Sequence, residues 1–221
     1  QLERQLAEDR SLLTSRRRDA PARHRSLWDV FDHSWERLGP DEKRALPLLS
    51  IFREGFGLEA AQAVAGTDLK TLLNLLDRKL VRRAGERRFA LHELVRQYAQ
   101  QRAEDWLMET ARAAHSRYYC SLLGRLTPDL RGGNVAAALE HVQANLANVV
   151  AAWEHAVKQE DLAALDASRE ALDHYFYFRG RFTTAVDVFS RAFGAAEAVE
   201  QRSVEPVHRR QARRIAGRLL H

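Results

Sequence analysis

Apolar residues recur at spacings of three and four residues along most of the chain, which is the spacing of one face of an α-helix. From Glu104 onward the pattern is helical throughout, as in the stretches Val135–Val157 and Leu162–Phe178. Only two short runs, Leu80–Arg83 and Arg87–Leu91, are typical of β-strands, and the Ala-Gly-Glu segment between them is typical of a hairpin loop. The sequence therefore predicts a mainly α fold with one short β-hairpin.

Capping and helix-breaking residues divide the segment before this hairpin into helices. Ser26 is suited to cap the first helix, and Gly39-Pro40 ends it and opens the second. Gly66 is expected to close the third helix, and Asp68 is expected to cap the fourth. Leu75 of the fourth helix is not among the leucines expected to be buried, so we expect it on the outer face, available for contact with a partner. The leucines expected to be buried there are Leu69, Leu72, Leu73, Leu76 and Leu80.

The second half of the sequence predicts helical hairpins. A break is expected near Asn145, and loops are expected at Thr127-Pro128 and at 131–133. Two long helical stretches flank Gly180 closely, so they should form a tight antiparallel pair. The spacing typical of the turn and second helix of a tetratricopeptide repeat (TPR) is matched by Gly180, Ala185, Phe189 and Ala192.

These patterns divide the chain into three parts. Residues 1–22 form a helical end and a linker, and residues 23–105 have the helices, hairpin and closing helix of a winged-helix domain. Residues 106–221 form a degenerate, TPR-like array of helical repeats, truncated at its C-terminus. Because the chain opens and stops inside helical patterns and has no initiator Met, we expect it to be a piece of a longer polypeptide.

Charge and composition exclude several classes of protein. The chain carries 35 Lys and Arg against 30 Asp and Glu, and both signs are spread evenly over its two halves, whereas a nucleic-acid footprint should be clustered. The single Cys120 cannot form an internal disulfide, and no apolar run is long enough to span a bilayer, so we expect a cytoplasmic location and no membrane partner. No nucleophile arrangement or metal-ligand spacing is present in the sequence, so we expect no catalytic residues and no metal site.

Three segments of the first half occur in a distinctive order: RHRSLWDVFDHSWERLGPDEKRALPLLSIFREGFGLEAAQAVAG, LLNLLDRKLV and RRFALHELVRQYAQQRAE. Together they resemble the winged-helix segment of bacterial STAND signalling ATPases, which carry an NB-ARC-type nucleotide module. The later segments NLANVVAAWEHAV and YFYFRGRFTTAVDVFSRAF are similar to the start of the repeat-bearing sensor in those proteins. The resemblance covers residues 2–196 and implies a regulator of signalling or transcription.

The resemblance also implies a role for His92. In the family, a His in a Met-His-Asp motif at the base of the last winged-helix helix contacts the β-phosphate of ADP and helps to hold the inactive state. The matching triplet here is Leu91-His92-Glu93, at a point where a helix N-terminus offers free backbone N–H groups. The alternative is that His92 only caps the helix and binds no ligand. The sequence has no phosphate-binding loop, so ADP or ATP with Mg is expected only in the full-length parent.

The basic residues around the hairpin allow an alternative function, that of a winged-helix DNA-binding transcriptional regulator with a helical sensing or dimerisation domain. Arginines of the hairpin could contact phosphates, and the preceding helix could enter a major groove. Against this, the outer face of that helix has few base-reading side chains and includes Asp77. The candidate nucleic-acid contacts are Lys70, Asn74, Arg78, Arg82, Arg83, Arg87 and Arg88.

The partners implied by the resemblance are the protein's own NB-ARC ATPase core and an effector, either a protein or a small ligand, bound by the repeats. DNA is the less favoured partner. In this interpretation the chain catalyses no reaction and transmits movement from the repeats to His92. Binding at the repeats strains the helix linking Leu94 to about Leu107 and moves His92 relative to ADP, provided that the effector prefers one arrangement.

Overall fold

The structure of the protein is a computed structural model, and it describes residues 22–202 and 206–219. This part of the chain has eleven helices and one small sheet, so the prediction of a mainly α fold is confirmed. The first half contains α1 (Ala22–Glu36), α2 (Pro40–Leu49), β1 (Phe56–Gly57), α3 (Leu58–Ala65), α4 (Leu69–Asp77), β2 (Val81–Arg83), β3 (Arg88–Leu91) and α5 (Glu93–Gln100). The second half contains α6 (Asp105–Leu130), α7 (Val135–Ala144), α8 (Leu146–Lys158), α9 (Leu162–Phe178), α10 (Phe182–Arg202) and α11 (Pro206–Leu219).

Most helix ends in the first half lie where the capping residues predict them. The backbone N–H of Gly39, before α2, donates to the Glu42 carboxylate (2.8 Å), and Asp68 caps α4 by accepting from the Thr71 N–H (2.8 Å). Gly66 ends α3 in the left-handed region at φ +58°, where a residue without Cβ is favoured. The predicted Ser26 start of α1 is wrong, because this helix already begins at Ala22. The helical end predicted for residues 1–22 lies outside the described residues except for its last position.

The buried face of α4 differs from the prediction. Leu72 and Leu75 are fully buried, whereas Leu69 (46 % exposed) and Leu73 (36 % exposed) lie on the outer face. At 3.6 residues per turn the five leucines of this nine-residue helix spread over an arc of about 160°, which is wider than its buried stripe, so their spacing leaves open which of them face inward. Contacts with the neighbouring elements decide the orientation and place an apolar stripe on the outer surface.

The sheet has three antiparallel strands in the order β1-β3-β2. The strands β2 and β3 are those of the predicted hairpin, with Val81 opposite Leu91. The strand β1 was not predicted, because two residues are too short to show an alternating pattern. It forms because Phe56 is fully buried against Phe52, with ring centroids 4.3 Å apart, and Phe56 thereby lies opposite Phe89 of β3.

Two predictions about where helices end are wrong. The helix expected to link Leu94 to Leu107 is interrupted at residues 101–104, since α5 ends at Gln100 and α6 starts at Asp105. The loop expected at Thr127-Pro128 is instead the last turn of α6, which continues to Leu130. A proline near a helix end removes only one backbone hydrogen bond, and burial of Leu130 (1 % exposed) favours keeping that turn.

Other features of the second half match the sequence. Asn145 separates α7 from α8, and Gly180, at φ +63°, turns the chain between α9 and α10. Of the four consecutive aromatic residues at the end of α9, Tyr175 and Phe176 are buried and Tyr177 and Phe178 are exposed. The predicted helix after Gly180 extends beyond Ala198 to Arg202.

The helix α6 connects the two halves of the molecule. Its His115 and Tyr119 rings pack against Phe52, with centroids 5.4 and 6.3 Å away, so α6 lies on the first half as well as on the second. The buried side chains of both halves form one continuous core that includes Trp153. The interruption at 101–104 is therefore bridged by packing, which holds α6 beside α2 and α3.

Candidate functional site

His92 lies immediately after β3 and caps the N-terminus of α5. Its Nδ1 accepts a hydrogen bond from the Leu94 N–H (3.3 Å), and its ring is exposed. Since Nδ1 is the acceptor, the neutral ring carries its proton on Nε2. Within the described part of the chain, Nε2 has no hydrogen-bond partner. The cap thus leaves an outward N–H donor beside the positive end of a helix, which is suited to a phosphate oxygen.

The acidic residue next to His92 is held by its own helix. The Glu93 carboxylate accepts from the Arg96 guanidinium (2.7 and 2.8 Å) and from the Gln97 amide (2.7 Å). These hydrogen bonds, Arg96 first, hold the pKa of Glu93 below its ordinary value. The carboxylate is therefore ionised, but Arg96 balances its charge, which reduces the repulsion of an anion bound at His92.

The residues predicted to read DNA from α4 do not form a uniform polar face. Lys70 and Asn74 are exposed, but the exposed Leu69 and Leu73 lie beside them on the helix. Arg78 forms an ion pair with the nearly buried Glu42 (3.5 Å). A groove-reading helix presents hydrogen-bonding side chains to base edges, whereas this face also presents apolar surface.

The hairpin presents four exposed cations that have no ion pair among the residues the structure describes: Lys79, Arg82, Arg83 and Arg87. The Arg83 guanidinium lies over the Phe89 ring, 6.0 Å from its centroid. Lys79 and Arg87 adopt positive φ angles of 62° and 54°, as tight turns require. Three of the predicted contacts, Arg82, Arg83 and Arg87, thus lie in β2 and the turn that follows it, whereas Lys79 lies before β2, at the base of the hairpin.

Arg88 differs from these four cations because its side chain reaches the second half of the molecule. Its Nη1 donates to Asn145 Oδ1 (3.1 Å), and its Nη2 donates to the Ala144 carbonyl (2.8 Å) and to the Gly55 carbonyl. The expectation that Arg88 could contact DNA is therefore not supported by its position. Sequence reasoning missed this contact, because Arg88 and Asn145 are 57 residues apart and no local pattern links them.

Asn148 adds further hydrogen bonds between the two halves of the molecule, next to those of Arg88. It is fully buried, its Oδ1 accepts from the Arg53 N–H (2.9 Å) and from His115 Nε2 (3.3 Å), and its Nδ2 donates to the Gly55 carbonyl (3.3 Å). Burial lowers the pKa of His115 to about 4, so this ring is neutral at pH 7. We name the side chains and carbonyls of Gly55, Arg88, Asn145 and Asn148 the junction cluster.

Two open clefts lie elsewhere. One cleft, of about 510 Å³, is lined by Trp106, His155 and Ser116. The Ser116 hydroxyl donates a hydrogen bond to the Ala152 carbonyl (2.8 Å), so it is a packing contact. The other, of about 570 Å³, lies along α8. Cys120 is buried, and burial raises the pKa of its thiol, which makes it a poor nucleophile.

The described ranges contain no group of three His, Cys, Asp or Glu side chains placed to hold a metal ion. None of the helices described is both long and apolar enough to cross a membrane.

Compared with known proteins, the chain matches no family model, no curated protein and no solved structure. The functional argument therefore rests on the chain's own residues and on their arrangement.

Proposed function

We propose that this chain is the regulatory region of a STAND-type ATPase that controls signalling or transcription in the cytoplasm. In this proposal the first half is a winged-helix domain and the second half is a TPR-like sensor. The element order α2-β1-α3-α4-β2-β3, with β3 in the middle of the sheet, supports the first part. The short turn at Gly180 between α9 and α10, together with the contact between the Phe176 and Phe189 rings of these helices, supports the second. The region acts without catalysing a reaction.

The observation that carries the proposal is the geometry of His92. Its ring caps α5 through Nδ1 and is left with an exposed Nε2–H donor. A donor of this kind contacts the β-phosphate of ADP when the winged helix packs on the nucleotide module, and loses this contact when the two separate. One histidine does not bind a nucleotide alone, so the phosphate-binding loop and Mg belong to the ATPase core of the parent.

The partner surfaces follow from the exposed apolar residues. Leu69 and Leu73 give α4 an outer face suited to a protein, and the protein's own ATPase core is the partner we assign to it. In the second half, Tyr177, Phe182 and Val186 are each at least 60 % exposed and offer a surface for an effector protein. The two surfaces thereby bind different partners, and effector binding shifts the equilibrium between the two arrangements.

The test uses the intact ATPase loaded with a fluorescent ADP. His92→Ala removes the cap and the donor, whereas His92→Asn keeps a strong N-cap but has no group in the place of Nε2. We expect both variants to release ADP about tenfold faster, as loss of a charge-assisted hydrogen bond predicts. The control is His33→Ala on the exposed side of α1. Release from His92→Asn at the unaltered rate would show that His92 is only a capping residue.

A second candidate function, DNA binding, is favoured by one observation. The four exposed hairpin cations have no ion pair in the described ranges, so they are available to phosphates. A duplex titration at two salt concentrations separates the two functions. We expect weak binding with a shallow salt dependence, because the apolar stripe on α4 suits a protein partner. Tight binding with a steep slope that Arg82→Ala and Arg87→Ala reduce would instead support DNA recognition.

A further inference from the structure

The strand β3 links the junction cluster to His92. Arg88 is its first residue, Leu91 is its last, and His92 follows immediately. At about 3.3 Å per residue, Arg88 and His92 are separated by roughly 13 Å of extended backbone. An extended strand cannot lengthen further, so a displacement at Arg88 along the strand is passed on to His92.

The sheet holds β3 on both sides. Its backbone pairs with β1, where Arg88 lies opposite Gly57, and with β2, where Leu91 lies opposite Val81. The strand therefore moves together with its neighbours. The Arg88 side chain also binds the Gly55 carbonyl, directly before β1, so one guanidinium holds the start of two adjacent strands.

The other end of the Arg88 contact is the corner between α7 and α8. Asn145 at this corner is buried, and its Nδ2 donates to the His141 carbonyl (2.9 Å), which fixes the Oδ1 that faces Arg88. Gly55 permits the approach, because a Cβ at this position would lie 3.3 Å from Arg88 Nε. A movement of the α7–α8 corner must therefore either break the Arg88 hydrogen bonds or move β3.

We propose that Arg88 and Asn145 are positioning residues for His92, and that the α7–α8 corner sets the placement of the histidine through β3. The functional meaning of this coupling rests on the proposed contact of His92 with a nucleotide. The route differs from the one that the sequence predicts, because the linking helix is interrupted at residues 101–104 and the hydrogen bonds of Arg88 cross the molecule directly.

The experiment measures the His92 cap in this chain without any nucleotide. Hydrogen exchange of the Leu94 amide reports the bond to Nδ1, and the ring ¹⁵N shifts of His92 report its tautomer. We expect Arg88→Ala and Asn145→Ala to speed exchange at Leu94 about fivefold or more and to reduce the Nε2–H tautomer. The matched control is Arg82→Ala, which removes the same charge from the neighbouring strand and should leave both signals unaltered.

A second pair of variants separates positioning from general stability. Asn145→Asp keeps an acceptor for Arg88 but loses the amide donor, so it should retain the His92 signals that Asn145→Ala loses. If Arg88→Ala does not fold, the comparison of Asn145→Asp with Asn145→Ala still tests the proposal. The proposal is overturned if Arg88→Ala and Asn145→Ala speed exchange only at the junction cluster and leave Leu94 and the His92 tautomer unaltered. Because no nucleotide is present, this result is independent of whether His92 contacts ADP.

Discussion

Acidification should destabilise this protein through His115. The ring is 2 % exposed, and burial is the main reason why its pKa falls from 6.5 to about 4. The positive charges of Arg53 and of a protonated His155 lower it further, while Asn148 opposes the shift only in part. Below pH 6.5 the unfolded chain binds a proton that the folded chain does not bind, so the stability present above pH 6.5 is lost as the pH falls towards 4.

The magnitude follows from the two pKa values. Between pH 7.5 and pH 4.5, His115 alone should reduce the free energy of unfolding by roughly 2 to 3 kcal/mol. Urea unfolding followed by circular dichroism at the two pH values measures the loss. Carboxylates with lowered pKa values, such as Glu93 and Glu170, also contribute as the pH falls, so the quantity to compare is the difference between the wild type and a variant.

The variant is His115→Gln, which keeps an amide donor for Asn148 but has no group that titrates in this range. We expect it to lose roughly 2 to 3 kcal/mol less than the wild type between the two pH values. His33→Gln, at an exposed position of α1, is the matched control and should follow the wild type. Equal losses for the wild type and His115→Gln would refute the assignment of the pH dependence to this buried ring.

Two further predictions concern stability at pH 7 and are measured by the same urea unfolding. Asn148→Ala removes all three hydrogen bonds of a fully buried side chain and should cost about 3 kcal/mol, whereas Asn74→Ala on the exposed face of α4 should cost less than about 0.5 kcal/mol. Gly180→Ala, at φ +63°, should cost about 1 kcal/mol, while Gly194→Ala, in helix α10 with open space around its Cβ position, should add up to about 1 kcal/mol. Equal effects within either pair would contradict the structural reason given for it.

The helix ends of the first half could be predicted because they depend on neighbouring residues. The Asp68 cap and the left-handed Gly66 are decided within three or four residues of the chain, so the sequence contains the whole interaction. The capping position of His92 follows in the same way from a strand that ends directly before a helix. Its exposed Nε2–H donor is a local consequence of that cap.

The strand β1 and the buried face of α4 could not be predicted, because both depend on distant partners. Phe56 and Gly57 form a strand by pairing with β3, which lies more than thirty residues away in the sequence. Leu69 and Leu75 have the same apolar side chain, and contacts with other elements decide that the first is exposed and the second is buried. A local pattern contains no information about such contacts.

The sequence by itself thus determined the helical class, most helix ends and the position of His92, because each depends on backbone hydrogen bonds and spacings within a few residues. The tertiary structure alone decided that the Arg88 side chain donates to Asn145 instead of remaining exposed like the other hairpin arginines, and that Asn148 is buried beside His115. These contacts join residues 57 and 33 positions apart. They form because polar groups buried between the two halves must find hydrogen-bond partners there.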